Sequence, residues 1–293
     1  MLRARNLLLT AGAVALTFLT LGGAGNAFAA KPLRVNGSTT VNPVVTEAAE
    51  ALRAERGMTI HVDTQGGSSG GIAALGDGRA EVAMISRPLE PEDRTKYPKI
   101  RFQPVQIGSD AVALVVSRDV WDGGVHALSK EQARGLYEGK IKNWREVGGP
   151  DRRVVFFNKE PGRGTWEVFA HWLYGDPKKA PLVNLPEIGA NEEGRNKVSS
   201  TAGSITQLSS SWADGKKVFA LAIRRDDGKT VRPDNVSIRD GSYPLSRPLS
   251  VVTDGPPRDE SKILIDFLLG PRGQELVRKQ GYLPLAAQGA ARQ

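Results

Sequence analysis

Three times in this chain a strand-like run ends in a cluster of glycine and hydroxyl residues and reopens as a helical period. The junctions are VNGSTTVNPVV (residues 35–45), QGGSSGGIAAL (65–75) and EPGRGTWEVF (160–169). A helix start leaves backbone N–H groups without intrahelical partners, and the helix dipole favours negative charge there. Ser and Thr add hydroxyl donors, and glycine lets the backbone approach a ligand closely. The same residues also serve as plain helix caps, so one junction alone implies no ligand. None is a nucleotide loop: G-x-x-x-x-G-K-[ST] is absent, and neither glycine cluster has G-x-G-x-x-G spacing. Three junctions facing one cavity would replace the hydration shell of a tetrahedral oxyanion.

The intervening pattern sets the fold class. Residues 33–35 form a short apolar run. Val45, Ala48, Ala49 and Leu52 then recur at helical spacing, with Gly57 as a stop. Ile60 and Val62 alternate as a strand, Ile72 and Leu75 open a helix, and residues 80–86 form the next strand. This β-α-β-α-β order predicts a largely parallel α/β sheet whose right-handed crossovers bring the strand ends to one edge. Residues 110–116 (DAVALVV) predict a buried strand, followed by a loop over 119–129. Ser129 and Gln132 have capping-box spacing for the next helix. Residues 154–158 predict a strand, and Trp166, Phe169, Ala170 and Leu173 one face of a helix. The polar stretch 176–211 reads as loops with a helix about 191–198. VFALAI (218–223) returns to strand, 226–240 is a charged connection, and PLSVVT is again a strand. Helices close the chain at 261–269 and 271–280.

The first thirty residues stand apart. Arg3 and Arg5, an apolar stretch of about fifteen residues, three glycines and Ala27-Phe28-Ala29 are the parts of a secretory signal peptide. A membrane anchor would need roughly 20 apolar residues. Cleavage after Ala29 removes 29 of 293 residues and two of eight net positive charges, leaving 264 residues at +6. The chain has no cysteine, which excludes disulfides, cysteine-ligated metals, thiol catalysis and a cysteine-linked lipid. A soluble, unlipidated periplasmic protein is the expectation. Positive charge points to an acidic partner, but no basic run with interleaved aromatics and no recognition helix indicates nucleic acid. His61, His126 and His171 lie far apart and in no triad or metal motif, so neither catalytic nor metal-binding residues are assigned, and no cofactor is expected.

GSTTV (37–41), GGSSGGI (66–72) and SRPL (86–89) occur in the order and spacing of phosphate-binding proteins of phosphate ABC importers. LYEGKIKNWREVGG (136–149), YPLSRPL (243–249) and GQELVRKQGYLPL (273–285) resemble the same family. The resemblance covers nearly all of the chain after the leader. It implies a two-lobed α/β type II periplasmic-binding fold, each lobe a mixed sheet flanked by helices, joined by two hinge strands. Lobe one would comprise 31–107 plus 241–293 and lobe two 108–240. The implied ligand is inorganic phosphate or a similar oxyanion, the implied partner an ABC permease, and the expected state a monomer.

Carried over residue by residue, the resemblance implies anion contacts from Ser38, Thr39, Thr40 and Val41, and from Ser68, Ser69 and Gly70. Arg87 would present its fork to two oxygens. In the last junction relatives read R-E-x-G-S-G-T, whereas here Lys159 replaces the arginine and Arg163 the serine. Gly164 and Thr165 keep their donors, while Arg163 either adds charge or fills the pocket. Residues 202–208 (AGSITQL) also depart from the family's glycine-alanine-isoleucine-glycine-tyrosine run. Asp110 would accept the proton of a partly protonated phosphate and disfavour sulfate, or else anchor the crossing strand or pair with Arg87. The departures at Lys159, Arg163 and 202–208 keep open an altered ligand or a scaffold role. A phosphatase is the remaining alternative.

Overall fold

The computed structural model describes residues 31–286, so the export leader read at 1–29 lies outside the described residues. The chain opens with β1 (Leu33–Gly37), α1 (Asn42–Arg56), β2 (Ile60–Asp63), α2 (Gly67–Gly76), β3 (Val82–Ile85) and α3 (Pro91–Lys96). β1 pairs in parallel with both β2 and β3, as the alternating pattern predicts. Gly37 adopts φ 141°, and a Cβ there would lie 2.1 Å from the Met84 carbonyl oxygen, so only glycine lets β1 end against β3.

β4 (Phe102–Ser117) is longer than the run 110–116 predicts. It is followed by α4 (Arg118–Asp122), β5 (Ala127–Ser129) and α5 (Lys130–Tyr137), the first two falling where the sequence reads as loop. The Ser129/Gln132 capping box is present, with both reciprocal bonds made. β6 (Val155–Lys159), α6 (Gly164–Tyr174), β7 (Glu187–Ile188), α7 (Asn191–Ser200) and β8 (Ser204–Ser209) come next. β8 is the main departure from the pattern reading. Its Ser, Thr and Gln residues look like loop, yet all six positions are buried between β4 and β6. VFALAI splits into β9 (Val218–Ala220), on β4, and β10 (Ala222–Arg224), on β5. The charged connection holds β11 (Thr230–Val231) and α8 (Asn235–Arg239). β12 (Ser246–Asp254), α9 (Asp259–Leu269), α10 (Pro271–Lys279) and β13 (Leu283–Pro284) end the described chain.

The main sheet is mixed and ten-stranded, in the order β2-β1-β3-β12-β4-β8-β6-β7, with β13 and β9 also on β4. β12 runs antiparallel to β4, with Arg247 opposite Asp110. The register shifts between Leu249 and Ser250, leaving Ile107 as the extra residue. Two large apolar cores flank this crossing. One gathers Val35, Val44, Leu52, Val82, Ile107 and Leu249 with α9 and α10. The other gathers Val112, Leu114, Leu136, Trp144, Phe169 and Leu221. Trp144, in the segment 136–149, is fully buried and donates its indole N–H to the Gly203 carbonyl at 2.8 Å. No helix among the described residues is long and apolar enough to cross a membrane.

Candidate anion-binding site

The three junctions meet. α1, α2 and α6 start beside one another, so Thr40, Ser68 and Thr165, all buried, share one neighbourhood with Ser86 at the end of β3. Ser86 donates its backbone N–H to Ser68 Oγ at 3.1 Å, and Ser38 Oγ donates to Ser86 Oγ at 2.9 Å. α6 is pressed against this cluster: a Cβ on Gly164 would lie 2.5 Å from Ser68 Oγ and 2.8 Å from Ser86 Oγ.

At the centre is Arg247, whose side chain is fully buried. Its Nη1 donates to Thr165 Oγ1 at 3.0 Å and to Ser86 Oγ at 3.3 Å, and its Nη2 to Thr40 Oγ1 at 3.3 Å. Nε and Nη2 also bind Asp110 Oδ2 at 3.0 and 2.7 Å. Asn191, at the start of α7, donates to Thr40 Oγ1 at 3.1 Å from the opposite side. Buried charge of this kind persists only when paired and hydrogen-bonded, as Arg247 is.

Lys159 is different. It ends β6 with 1% exposure, and its Nζ has no hydrogen-bond partner among the described residues. Gln207 on β8 fixes its backbone, accepting the Lys159 N–H at 3.0 Å and donating to Asn158 at 3.2 Å. Burial first, then the like charges of Arg163 and Arg247, pull the ammonium down to about 7. The polar cluster is therefore rich in donors and poor in acceptors. Thr40, Ser68, Ser86 and Thr165 accept hydrogen bonds, and none donates its hydroxyl hydrogen to an acceptor among the described residues. Adding the Lys159 ammonium and the first-turn N–H groups of α6, the arrangement is chemically complementary to a small oxyanion.

Other residues singled out from the sequence serve this centre indirectly or face away from it. Ser38 Oγ accepts the N–H groups of Thr40 and Val41 at 3.1 and 3.4 Å, so the Val41 amide expected to meet the anion is already engaged, and its side chain joins the core. Thr39 is half-buried and makes no side-chain hydrogen bond among those described. Ser69 N–H goes to the Gly162 carbonyl at 3.0 Å and Gly70 N–H to Gly66 at 2.9 Å, so neither amide is left for a ligand.

Three charged residues take roles other than those expected. The Arg87 fork is already occupied: Nη1 meets Asp93 at 2.7 Å and Nε meets Glu167 at 2.6 Å. Burial opposes this charge, but the two carboxylates outweigh it and hold the guanidinium above its ordinary value. Glu167 is held above the usual carboxylate range by burial. Because Glu167 also accepts from Ser69 Oγ at 2.8 Å, this set is a clasp between α2, α3 and α6. Arg163 does not fill the cluster. It turns to Glu160 at 2.6 Å and to the Thr64 carbonyl at 3.3 Å. Asp110 pairs with Arg247 rather than Arg87. Its Oδ2 takes two Arg247 bonds and its Oδ1 accepts from Ser209 and Ser210 at 2.9 and 3.3 Å. A carboxylate offers about four lone-pair positions, so none remains to accept a ligand proton.

Arg247, Ser86 and Asn191 are the central residues that sequence reasoning left without a role. Two had a signal: Arg247 directly precedes the apolar strand PLSVVT, and Ser86 closes the run 80–86. Asn191 lies on a predicted helix but gives no further sign.

A family model described as a PBP superfamily domain matches residues 22–272. The chain belongs to that superfamily. Within it, the chain is 27% identical over 263 residues to the phosphate-binding protein PstS of Staphylococcus saprophyticus, covering 84% of this chain and 78% of that one. The PstS of Bacillus subtilis is also 27% identical over 263 residues, with 89% and 83% covered. Among solved structures, a Clostridium perfringens protein with bound phosphate, described as a phosphate ABC transporter substrate-binding protein, superposes with TM-score 0.76. It shares 29% identity, and 87% of this chain and 100% of that one are covered. An ABC-type phosphate transport receptor from Vibrio cholerae gives TM-score 0.69 at 25% identity, covering 86% and 100%. The mixed α/β fold is that of the superfamily's phosphate-binding members.

Proposed function

We propose that this chain is an extracytoplasmic receptor that closes over inorganic phosphate and delivers it to an ABC permease. The observation that carries the reading is the donor set: a buried, unpartnered Lys159 ammonium beside Arg247 and four hydroxyls with uncommitted hydrogens. The relatives' names, all phosphate-binding proteins or phosphate transport receptors, agree with it. The two apolar cores support a two-lobed division, 31–107 plus 241–293 against 108–240, with β4 and β12 crossing between them. The receptor acts as an unlipidated periplasmic monomer and performs no chemistry on its ligand. Closure needs only a higher affinity of the closed state. Asn191 Oδ1, buried without a donor, is the acceptor available to a protonated phosphate oxygen and takes the selectivity role expected of Asp110.

Titration calorimetry on protein refolded free of phosphate tests this directly. Phosphate binds tightly and sulfate competes weakly. Failure to bind phosphate or any other tetrahedral oxyanion refutes it. The bonds of Arg163 to Glu160 and Thr64, away from the cluster, weigh against one of the three features that favour a scaffold role.

A further inference from the structure

We infer that Lys159 is the pH-sensitive ligand of this site, holding the anion while protonated and weakening its grip on losing the proton. This deepens the phosphate-receptor reading and rests on it. An arginine at this position would stay charged at every physiological pH, whereas a lysine loses its proton when buried without a partner.

The argument begins with what surrounds the ammonium. From the turn into α6 come Glu160 and Arg163, which are bonded to each other at 2.6 Å. From α7 comes Glu193, which accepts the Gly189 N–H at 2.8 Å. β12 presents Arg247 and β4 presents Asp110, joined at 2.7 Å. β7 carries Glu187, which is exposed, and α6 carries Glu167, which is clasped to Arg87. β8 offers only the neutral Thr206 and Gln207. Each nearby carboxylate is engaged elsewhere or exposed, and the two nearest guanidinium groups repel the ammonium. The charge on Lys159 therefore finds its counter-ion only when an anion enters among Thr40, Ser68, Thr165 and Arg247.

The direction follows from linkage. Without anion, the ammonium is pulled down to about 7 by burial and by the neighbouring guanidiniums. A bound oxyanion favours the charged form and raises that value. Above neutral pH, binding must then take up a proton, and affinity falls by up to tenfold per pH unit. Below neutral pH the lysine is already charged and the dependence vanishes. The receptor would hold phosphate firmly in acidic surroundings and less firmly in alkaline ones.

Phosphate itself titrates near neutrality, so the measurement is a ratio in which its titration cancels. Phosphate dissociation constants are measured calorimetrically at pH 6 and pH 9 for the wild type, Lys159→Arg and Lys159→Met. The ratio of wild-type to Lys159→Arg constants rises by about a hundredfold across that range, given the tenfold-per-unit linkage above the free lysine value. The uncharged, slightly shorter Lys159→Met variant covers the case in which arginine does not fit. It binds far more weakly than the wild type at pH 6 and converges on it at pH 9. A ratio to Lys159→Arg that changes by less than about tenfold, together with a constant gap to Lys159→Met, overturns the inference while leaving the receptor intact. Absence of phosphate binding by the wild type at both pH values removes the receptor reading itself.

Discussion

Lys159→Met should make the phosphate-free protein more stable, and by an amount that depends on pH. The wild-type ammonium ionises at its ordinary 10.5 in the unfolded chain and at about 7 when folded. Between those values the folded protein has released a proton that the unfolded chain retains. Wild-type stability therefore climbs with rising pH by about 1.4 kcal/mol per unit across that window. Below pH 7 both states hold the proton and the full penalty of about 5 kcal/mol is present. Methionine has nearly the same length, no charge, and suits an irregular buried gap. The variant's advantage is thus about 5 kcal/mol at pH 6 and shrinks to about 2 kcal/mol at pH 9. Urea unfolding of stripped protein at the two pH values reads the gap from the midpoints, provided the slopes agree. A gap of equal size at both pH values would mean that methionine merely packs better. A Met variant less stable than wild type at pH 6 would show that Nζ has a partner in the folded protein, and the charge argument fails.

Three further substitutions probe the surroundings. Arg163→Ser removes a side chain bonded to Glu160 and Thr64 rather than to the hydroxyl cluster, so phosphate affinity changes by less than about tenfold. A hundredfold tightening in calorimetry would place that side chain in the ligand's path. Glu167→Gln breaks the clasp to Arg87 and Ser69 while leaving Asp93 on the guanidinium. Phosphate binding weakens by about tenfold, the cost of a partly buried charged hydrogen bond, and an unchanged constant refutes the clasp. Gly164→Val drives a side chain into Ser68 Oγ and Ser86 Oγ, so binding is lost while circular dichroism stays native; retained binding would mean that α6 does not close on the cluster.

The parts of this molecule that could be read from its sequence are those governed by local chemistry. Gly-Ser-Thr junctions announce helix starts because capping and close approach need those residues within a few positions, and the resemblance then singles out Thr40, Ser68 and Thr165 within them. Long-range pairing leaves no such local trace. Arg247 and Asp110 are 137 positions apart and become neighbours only through the register of β12 on β4. Arg87 looked like an anion fork for the same reason: its partner Glu167 arrives from α6, 80 positions away. β8 was hidden by its own composition, because Ser, Thr and Gln are ordinary loop residues until neighbouring strands supply their hydrogen bonds. One of them, Gln207, orients Lys159, and the segment that departed from the family pattern proves to be its support.

The bulge at Ile107 of β4 falls between the Leu249 and Ser250 rungs, outside the Arg247–Asp110 rung. The Arg247–Asp110 rung itself is regular, so strand register alone holds the guanidinium between the two strands that run between the cores. The most deeply buried guanidinium of the cluster is thus positioned by backbone pairing across the crossing strands. Thr40, Ser86 and Thr165 then gather round a guanidinium whose place the pairing of β4 and β12 has fixed.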